Sequence, residues 1–146
     1  NKRHKLGYQN YSLKQINSLI SLVKQLKKEY NIKNHNILAH SDIAPLRKSD
    51  PGEKFPWKKF IDTKSLNVSN YKLNEVFLKK RDLQDPRVFF FKNLYKIGYR
   101  YFNKKKKSIT DKYIIKSFQM KFRQNKIDGR IDLECLKISD ILAKKS

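Results

Sequence analysis

The sequence is short of several features that would define common classes of protein. It has one cysteine, Cys135, in 146 residues, so an internal disulfide framework is excluded. No stretch approaches the ~20 consecutive apolar residues that a membrane-spanning helix needs. The four glycines and four prolines leave most of the chain free to form regular structure. What remains is a chain of a length that suits one ordinary domain or two small ones.

Acidic residues are also scarce, and this gives the chain a strong positive charge. Thirteen Asp and Glu face 35 Lys and Arg, for a net charge of +22. A charge of this size attracts polyanions such as nucleic acid or cell-wall polymers. Most of the cations are lysines spread over the whole length, and no known nucleic-acid fold signature stands out. We therefore interpret the charge mainly as compositional, with attraction to polyanions as a by-product.

The first half of the chain predicts a helix followed by a strand. Ser12 and Gln15 form a capping-box pattern, and apolar residues then recur every three or four positions, which predicts an amphipathic helix from about 13 to 30. The apolar run 37–39 indicates the end of a buried strand.

The segment that follows this run, HSDIAPLRKSDPGEKFPW at 40–57, carries most of the chemistry. Prolines and Pro51-Gly52 predict a loop here, which would hold His40 and Asp50 toward one point. An imidazole and a carboxylate are ligands that zinc accepts. A His and an Asp ten residues apart are also compatible with two unrelated surface residues. Asp42 is predicted to make local hydrogen bonds within the loop.

The whole eighteen-residue segment resembles the zinc-dependent N-acetylmuramoyl-L-alanine amidases, which cut the stem peptide from the glycan of bacterial peptidoglycan. The resemblance implies that His40 and Asp50 are zinc ligands and that Lys48 helps to stabilise the transition state. It also implies that the helix at 13–30 packs on a central sheet. The role of Arg47 stays open, between anchoring the loop and binding a substrate carboxylate.

The resemblance also implies two residues that this sequence does not offer. Members of the family use a further histidine as zinc ligand and a glutamate as general acid/base, both upstream of the matching region. His4 and His35 are interpreted as exposed loop and turn residues. No glutamate stands at the expected position, whether Glu29, Glu53, Glu75 or Glu134. We therefore expect the chain to be a truncated form, the C-terminal part of a longer amidase.

The second half predicts a small bundle of three helices. Asp85-Pro86, Thr110 and Asp132 are predicted to begin the helices, and Gly98 to end the first. The order of "FQ" at 118–119 and "DG" at 128–129 resembles the peptidoglycan-binding domain that follows some amidase domains. The Lys104–Lys107 run departs from that pattern. We interpret Phe118 and Phe122, in the middle of these motifs, as core residues.

These observations together predict an α/β protein: the C-terminal portion of a mixed-sheet zinc amidase domain at 1–62, a linker at 63–72 and a helical peptidoglycan-binding-like domain at 73–146. The predicted function is zinc-dependent hydrolysis of the amide between N-acetylmuramic acid and L-alanine. Alternatives are a peptidoglycan-binding fragment without catalysis and, third, a basic nucleic-acid-binding protein. The expected partner is intact peptidoglycan or a released muropeptide, which places the protein in the periplasm or cell envelope.

Overall fold

The computed structural model describes residues 3–4, 7–61, 66, 68–73 and 85–145. The chain divides into two compact units, Asn1–Thr63 and Lys64–Ser146. The division, between Thr63 and Lys64, falls at the start of the predicted linker 63–72. The assignment of roles to the two units stays a prediction. None of the helices in the described part of the chain is long and apolar enough to cross a membrane.

The first unit contains the predicted amphipathic helix, α1, at Leu13–Glu29. The Ser12 hydroxyl accepts from the Gln15 amide at 3.2 Å, and the Gln15 side chain accepts from the Ser12 amide at 3.0 Å. This capping box satisfies two amides that the helix itself leaves unpaired. Ile16 is the buried residue of α1, so only a narrow part of its apolar face is covered within the described residues.

The described residues do not show the predicted mixed sheet. Their strands are β1, Arg3–His4, and β2, Gly7–Tyr8, a two-residue antiparallel pair. Residues 37–39 form no strand; they lie between a 3-10 turn at Asn34–Asn36 and a one-turn helix, α2, at His40–Ile43. An apolar run becomes a strand only where a neighbouring strand pairs with it, and the described residues offer none there.

Aromatic side chains form the core beneath the loop of the first unit. Phe55, Trp57 and Phe60 are all buried. Phe55 stacks on Phe60 with ring centroids 4.9 Å apart, and its edge meets Trp57 at 4.9 Å. Tyr11, just before α1, packs edge-on against Phe55 at 5.5 Å. These rings therefore fix the end of the loop to the start of the helix.

Within residues 85–145 the structure describes three helices: α3, Pro86–Lys96; α4, Asp111–Phe122; and α5, Leu133–Lys145. The Asp85 carboxylate accepts from the Arg87 amide at 2.8 Å, as expected of an N-cap followed by proline. Gly98, with φ of +106°, ends α3 in the left-handed conformation. Thr110 precedes the first residue of α4 as predicted, although its side chain makes no capping hydrogen bond to the first turn.

The three helices enclose one apolar core. Its fully buried members come from all three helices: Phe90, Phe91, Leu94, Ile114, Phe118 and Cys135. Phe122 packs against this cluster, which confirms the interpretation of both phenylalanines as core residues. The segment before the helices joins the same core, because Leu66, Val68 and Tyr71 pack against it. The Tyr71 hydroxyl also donates to Asp140 of α5 at 2.5 Å.

A buried glutamine explains why "FQ" and "DG" occur together. Gln119 is fully buried, and its amide nitrogen donates to the Asp128 carboxylate at 3.0 Å and the Arg130 carbonyl at 2.9 Å. Its carbonyl oxygen accepts from the Gly129 amide at 2.8 Å. One side chain thus satisfies both donors and acceptors of the turn. Gly129 has φ of +75°, and an added Cβ would lie 3.1 Å from the Lys112 carbonyl oxygen, so only glycine fits this turn easily.

The lysine-rich loop between α3 and α4 is held by one arginine. Arg87 donates to the carbonyl oxygens of Asn103, Lys104 and Lys106 at 2.9, 3.2 and 2.6 Å. Its Nε also donates to the buried carboxylate of Asp111 at 2.7 Å. The loop therefore has a defined backbone although its four lysines are exposed.

Candidate metal centre

The backbone of the first unit brings the two predicted ligands together across ten residues. His40 begins α2, directly after the extended residues 37–39. The Ser41 amide donates to the Asp50 carbonyl at 3.1 Å, so the loop returns to its own beginning. The Asp42 carboxylate accepts from the Ala39 amide at 2.9 Å, which confirms its predicted local role.

The side chains of His40 and Asp50 are in direct contact. Nδ1 of His40 lies 2.5 Å from Oδ2 of Asp50. The His40 side chain is 72% exposed and that of Asp50 is 45% exposed, so the pair faces solvent at the surface of the unit. A surface ion pair of this kind contributes little to stability. Its location is better suited to receiving a ligand than to holding the fold.

The surroundings of Asp50 keep its carboxylate ionised. Partial desolvation raises its pKa, but hydrogen bonds from His40 and from its own backbone amide lower it, as do the charges of His40 and Lys48. The hydrogen bonds and positive charges together outweigh the desolvation, so the pKa of Asp50 lies below its ordinary value. At neutral pH the group is therefore a carboxylate, the form that binds a cation.

Tyr11 supports the loop from behind, and the sequence analysis missed it. Its hydroxyl donates to the Pro51 carbonyl at 2.7 Å, next to Asp50. Burial, followed by the nearby negative charge of Asp50, raises the pKa of Tyr11, so it stays a neutral donor. A tyrosine before a helix N-cap is too common a pattern to have predicted this contact.

Lys48 lies on the same loop, two residues before Asp50. Its backbone amide donates to the Ala44 carbonyl at 2.9 Å, which fixes its position in the turn after α2. Its side chain is exposed, and its charge contributes to the lowered pKa of Asp50. The ammonium group therefore acts on the site electrostatically. The Arg47 side chain is also exposed.

The donor set fits zinc, although it is incomplete among the described residues. One nitrogen and one carboxylate oxygen suit this metal. Both side chains are at least partly exposed, so His40 and Asp50 are the residues that would hold the metal. In the part of the chain that the structure describes, no group of three or more His, Cys, Asp or Glu could hold a metal ion. His35 is exposed in its 3-10 turn, and the side chain of His4 is outside the described residues.

Comparison with known proteins shows which family the first part of the chain resembles. A family model described as N-acetylmuramoyl-L-alanine amidase (Amidase_2) matches residues 2–53, a range that includes His40, Lys48 and Asp50. Residues 2–53 are therefore similar to this amidase family. We call this range the amidase segment. The aromatic residues Phe55, Trp57 and Phe60 follow directly after it.

Relatives extend the similarity beyond the amidase segment. The amidase AmiD of Escherichia coli strain K12 is 33% identical over 134 residues, which cover 90% of this chain and 48% of AmiD. The 1,6-anhydro-N-acetylmuramyl-L-alanine amidase AmpD of Enterobacter cloacae is 42% identical over 50 residues, 34% of this chain and 27% of AmpD. The chain thus spans less than half the length of these curated relatives.

Solved structures agree with the sequence relatives. Escherichia coli AmiD, in complex with anhydro-N-acetylmuramic acid-L-Ala-D-gamma-Glu-L-Lys, matches with a TM-score of 0.71 and 28% identity, over 95% of this chain and 55% of that one. Pseudomonas aeruginosa AmpDh3, in complex with anhydromuramic pentapeptide, matches with a TM-score of 0.75 and 30% identity, over 94% and 55%. Both matches include the helical unit that follows the amidase segment.

Proposed function

We propose that this chain takes part in zinc-dependent hydrolysis of the amide bond between N-acetylmuramic acid and L-alanine in peptidoglycan. The proposal rests chiefly on the contact between His40 and Asp50 at 2.5 Å, inside a segment that matches the amidase family model. The ionised state of Asp50 and the exposure of both side chains support it. The ligands bound by AmiD and AmpDh3 supply the substrate class.

His40 and Asp50 are the proposed zinc ligands, and Lys48 is a proposed catalytic residue. Zinc held there would polarise the amide carbonyl and lower the pKa of a bound water to about 7. The Lys48 ammonium, whose charge acts on Asp50, would stabilise negative charge that develops on the carbonyl oxygen. A third ligand and a proton carrier would come from outside the described residues, with His4 one source and a second polypeptide another.

The helical unit is proposed to hold the enzyme on the cell wall. Its Gln119 and the Asp128-Gly129 turn form one hydrogen-bonded unit, which explains in physical terms the motif that resembles peptidoglycan-binding domains. Binding to intact peptidoglycan would keep the amidase segment near its substrate by raising the effective concentration of stem peptides. The proposed location is the periplasm or cell envelope.

An amidase assay tests the proposal. The chain is incubated with purified peptidoglycan and Zn²⁺, and separately with anhydro-muropeptides, and released stem peptides are measured by mass spectrometry. His40→Ala should reduce release at least about 100-fold, since removing a ligand weakens metal binding and activity together. His35→Ala, an exposed histidine five residues away, is the matched control and should leave release unchanged.

Other outcomes of the assay distinguish the alternative hypotheses about the metal centre and the activity. Release that persists in His40→Ala would show that the metal centre lies elsewhere. Release that is lost in His4→Ala would identify His4 as the third ligand. No release from any form, with the chain still sedimenting with the wall, would favour a binding protein without catalysis. That alternative rests on the absence of a three-ligand cluster among the described residues.

A further inference from the structure

A groove in the helical unit lies between the lysine-rich loop and the turn at 128–131. Its volume is about 420 Å³, and it is lined by residues of α3, the loop, α4 and the segment before α5. The base is apolar, with Phe91, Ile115 and Ile131 among its lining residues. Arg87 also lines the groove and is tied to the loop backbone and Asp111, so this wall has a defined shape.

Three cations line this groove and have no acidic partner among the described residues. Lys107, Lys112 and Arg130 line it and are exposed, and none of them forms a salt bridge with a described residue. Asp111 is the acidic residue in the lining, and its charge is balanced by Arg87 at 2.7 Å. The groove is therefore electropositive, which favours a ligand that carries carboxylates.

The lining distinguishes between the two components of peptidoglycan. A sugar chain is usually bound by stacking on exposed aromatic faces, but Phe91, the aromatic residue of the lining, is fully buried. Small aliphatic surfaces are present instead, including Ile109, which is 84% exposed.

We propose that this groove binds the peptide stems of peptidoglycan through their free carboxylates, and not the glycan. The stem in the AmiD complex contains L-Ala and a γ-linked D-Glu, so it presents a methyl group and a free α-carboxylate. Those groups match an aliphatic base and a cationic rim. The inference rests on the proposed wall-binding function and names the part of the wall that is recognised.

The test compares binding to intact sacculi with binding to the same glycan after its stems have been removed. The full chain is used in the cold with EDTA, and sedimentation gives the affinity for each material. We expect binding to peptide-free glycan to be at least about tenfold weaker. The double variant Lys112→Gln/Arg130→Gln should lose roughly tenfold in affinity for sacculi, because two charge-assisted contacts disappear. The control Lys92→Gln/Lys96→Gln removes the same charge from exposed positions of α3 outside the groove and should change affinity less than twofold.

A titration of the wild-type chain with the L-Ala-D-γ-Glu-L-Lys tripeptide provides a second measurement. NMR shifts at residues 107–112 and 129–131 are expected, separate from those around His40. Equal binding to sacculi and bare glycan, or equal losses in the two double variants, would overturn the peptide assignment and leave wall binding intact. Failure to sediment with either material, and no shifts in the groove, would overturn the wall-binding function itself.

Discussion

At the scale of single residues, the metal centre shows which roles a sequence reveals. His40 and Asp50 could be predicted because a histidine, a carboxylate and a Pro-Gly turn stand in one short segment. The contact of Tyr11 with Pro51 could not, because it joins residues forty positions apart through one hydroxyl. The structure adds that the loop is supported by a buried aromatic cluster.

Lys48 gives the first residue-scale prediction. In preparations that release stem peptides, Lys48→Gln should lower kcat by about 10²–10³-fold, the usual cost of removing a group that stabilises an oxyanion. KM and zinc affinity, measured by competition with a chromophoric chelator, should change little. Lys54→Gln removes the same charge from a position directly after the amidase segment and serves as the control. An equal loss in both variants would assign the effect to general electrostatics.

Asp128 gives a prediction about pH. The Arg130 backbone amide, the Gln119 side chain and nearby cations outweigh partial burial and hold the pKa of Asp128 below its ordinary value. Its ionised form therefore stabilises the fold above the unfolded pKa of about 3.9, and this contribution is lost as the pH falls through the lower folded value. Asp128→Asn should reduce the free energy of unfolding by about 1 kcal/mol at pH 7. Urea unfolding at pH 2.5 should show a much smaller difference; an equal difference at both pH values would contradict the assignment.

At the scale of elements, local signals predicted helix ends better than buried faces. Ser12, Asp85 and Asp132 cap as expected, since each cap depends on a few neighbouring residues. Helical spacing alone would assign Tyr95 and Leu133 to buried faces, yet both are exposed, and Tyr95 lies beneath Arg100 and Lys104. The spacing of apolar residues predicts which face of a helix is buried to within about one residue. Which residues at the border of that face are covered depends on the elements that pack against it.

The hydrogen-bonded turn gives the element-scale prediction. Gln119→Leu keeps the volume but leaves the Gly129 amide and the Arg130 carbonyl without their partners, so the free energy of unfolding should fall by about 2–3 kcal/mol. Chemical denaturation followed by circular dichroism measures this. Asn125→Ala, which removes an exposed amide from the end of the same segment, should cost less than about 0.5 kcal/mol. A stable Gln119→Leu variant would mean that the turn does not depend on this side chain.

At the scale of the whole molecule, the sequence indicated two parts and the contacts divide the chain at a similar place. The sequence did not predict the sheet correctly, because strand pairing depends on partners that are distant along the chain. The net charge of +22 is also a property of the whole chain. Its effect on binding depends on the ionic strength and not on any single lysine.

We therefore expect the affinity for peptidoglycan to fall with salt without vanishing. The electrostatic screening length shortens from about 10 Å at 0.1 M salt to about 3 Å at 1 M salt. This removes long-range attraction but leaves the contacts inside the groove. Sedimentation across this range measures the residual affinity. Duplex DNA serves as the comparison, and its binding should disappear over the same range. Tighter binding to DNA than to sacculi at 0.1 M, with no response to Zn²⁺, would favour the nucleic-acid alternative.

The arginine that holds the lysine-rich loop has a consequence for the survival of the protein. Four consecutive lysines would ordinarily make 104–107 the first place at which a trypsin-like protease cuts. Such an enzyme must draw the carbonyl oxygen of the lysine into its oxyanion hole. The carbonyl oxygens of Lys104 and Lys106 are already bound by Arg87, so cleavage after either of these lysines requires the loop to detach from Arg87 first. The same interaction that shapes the groove thus protects two of the four lysine bonds from proteolysis.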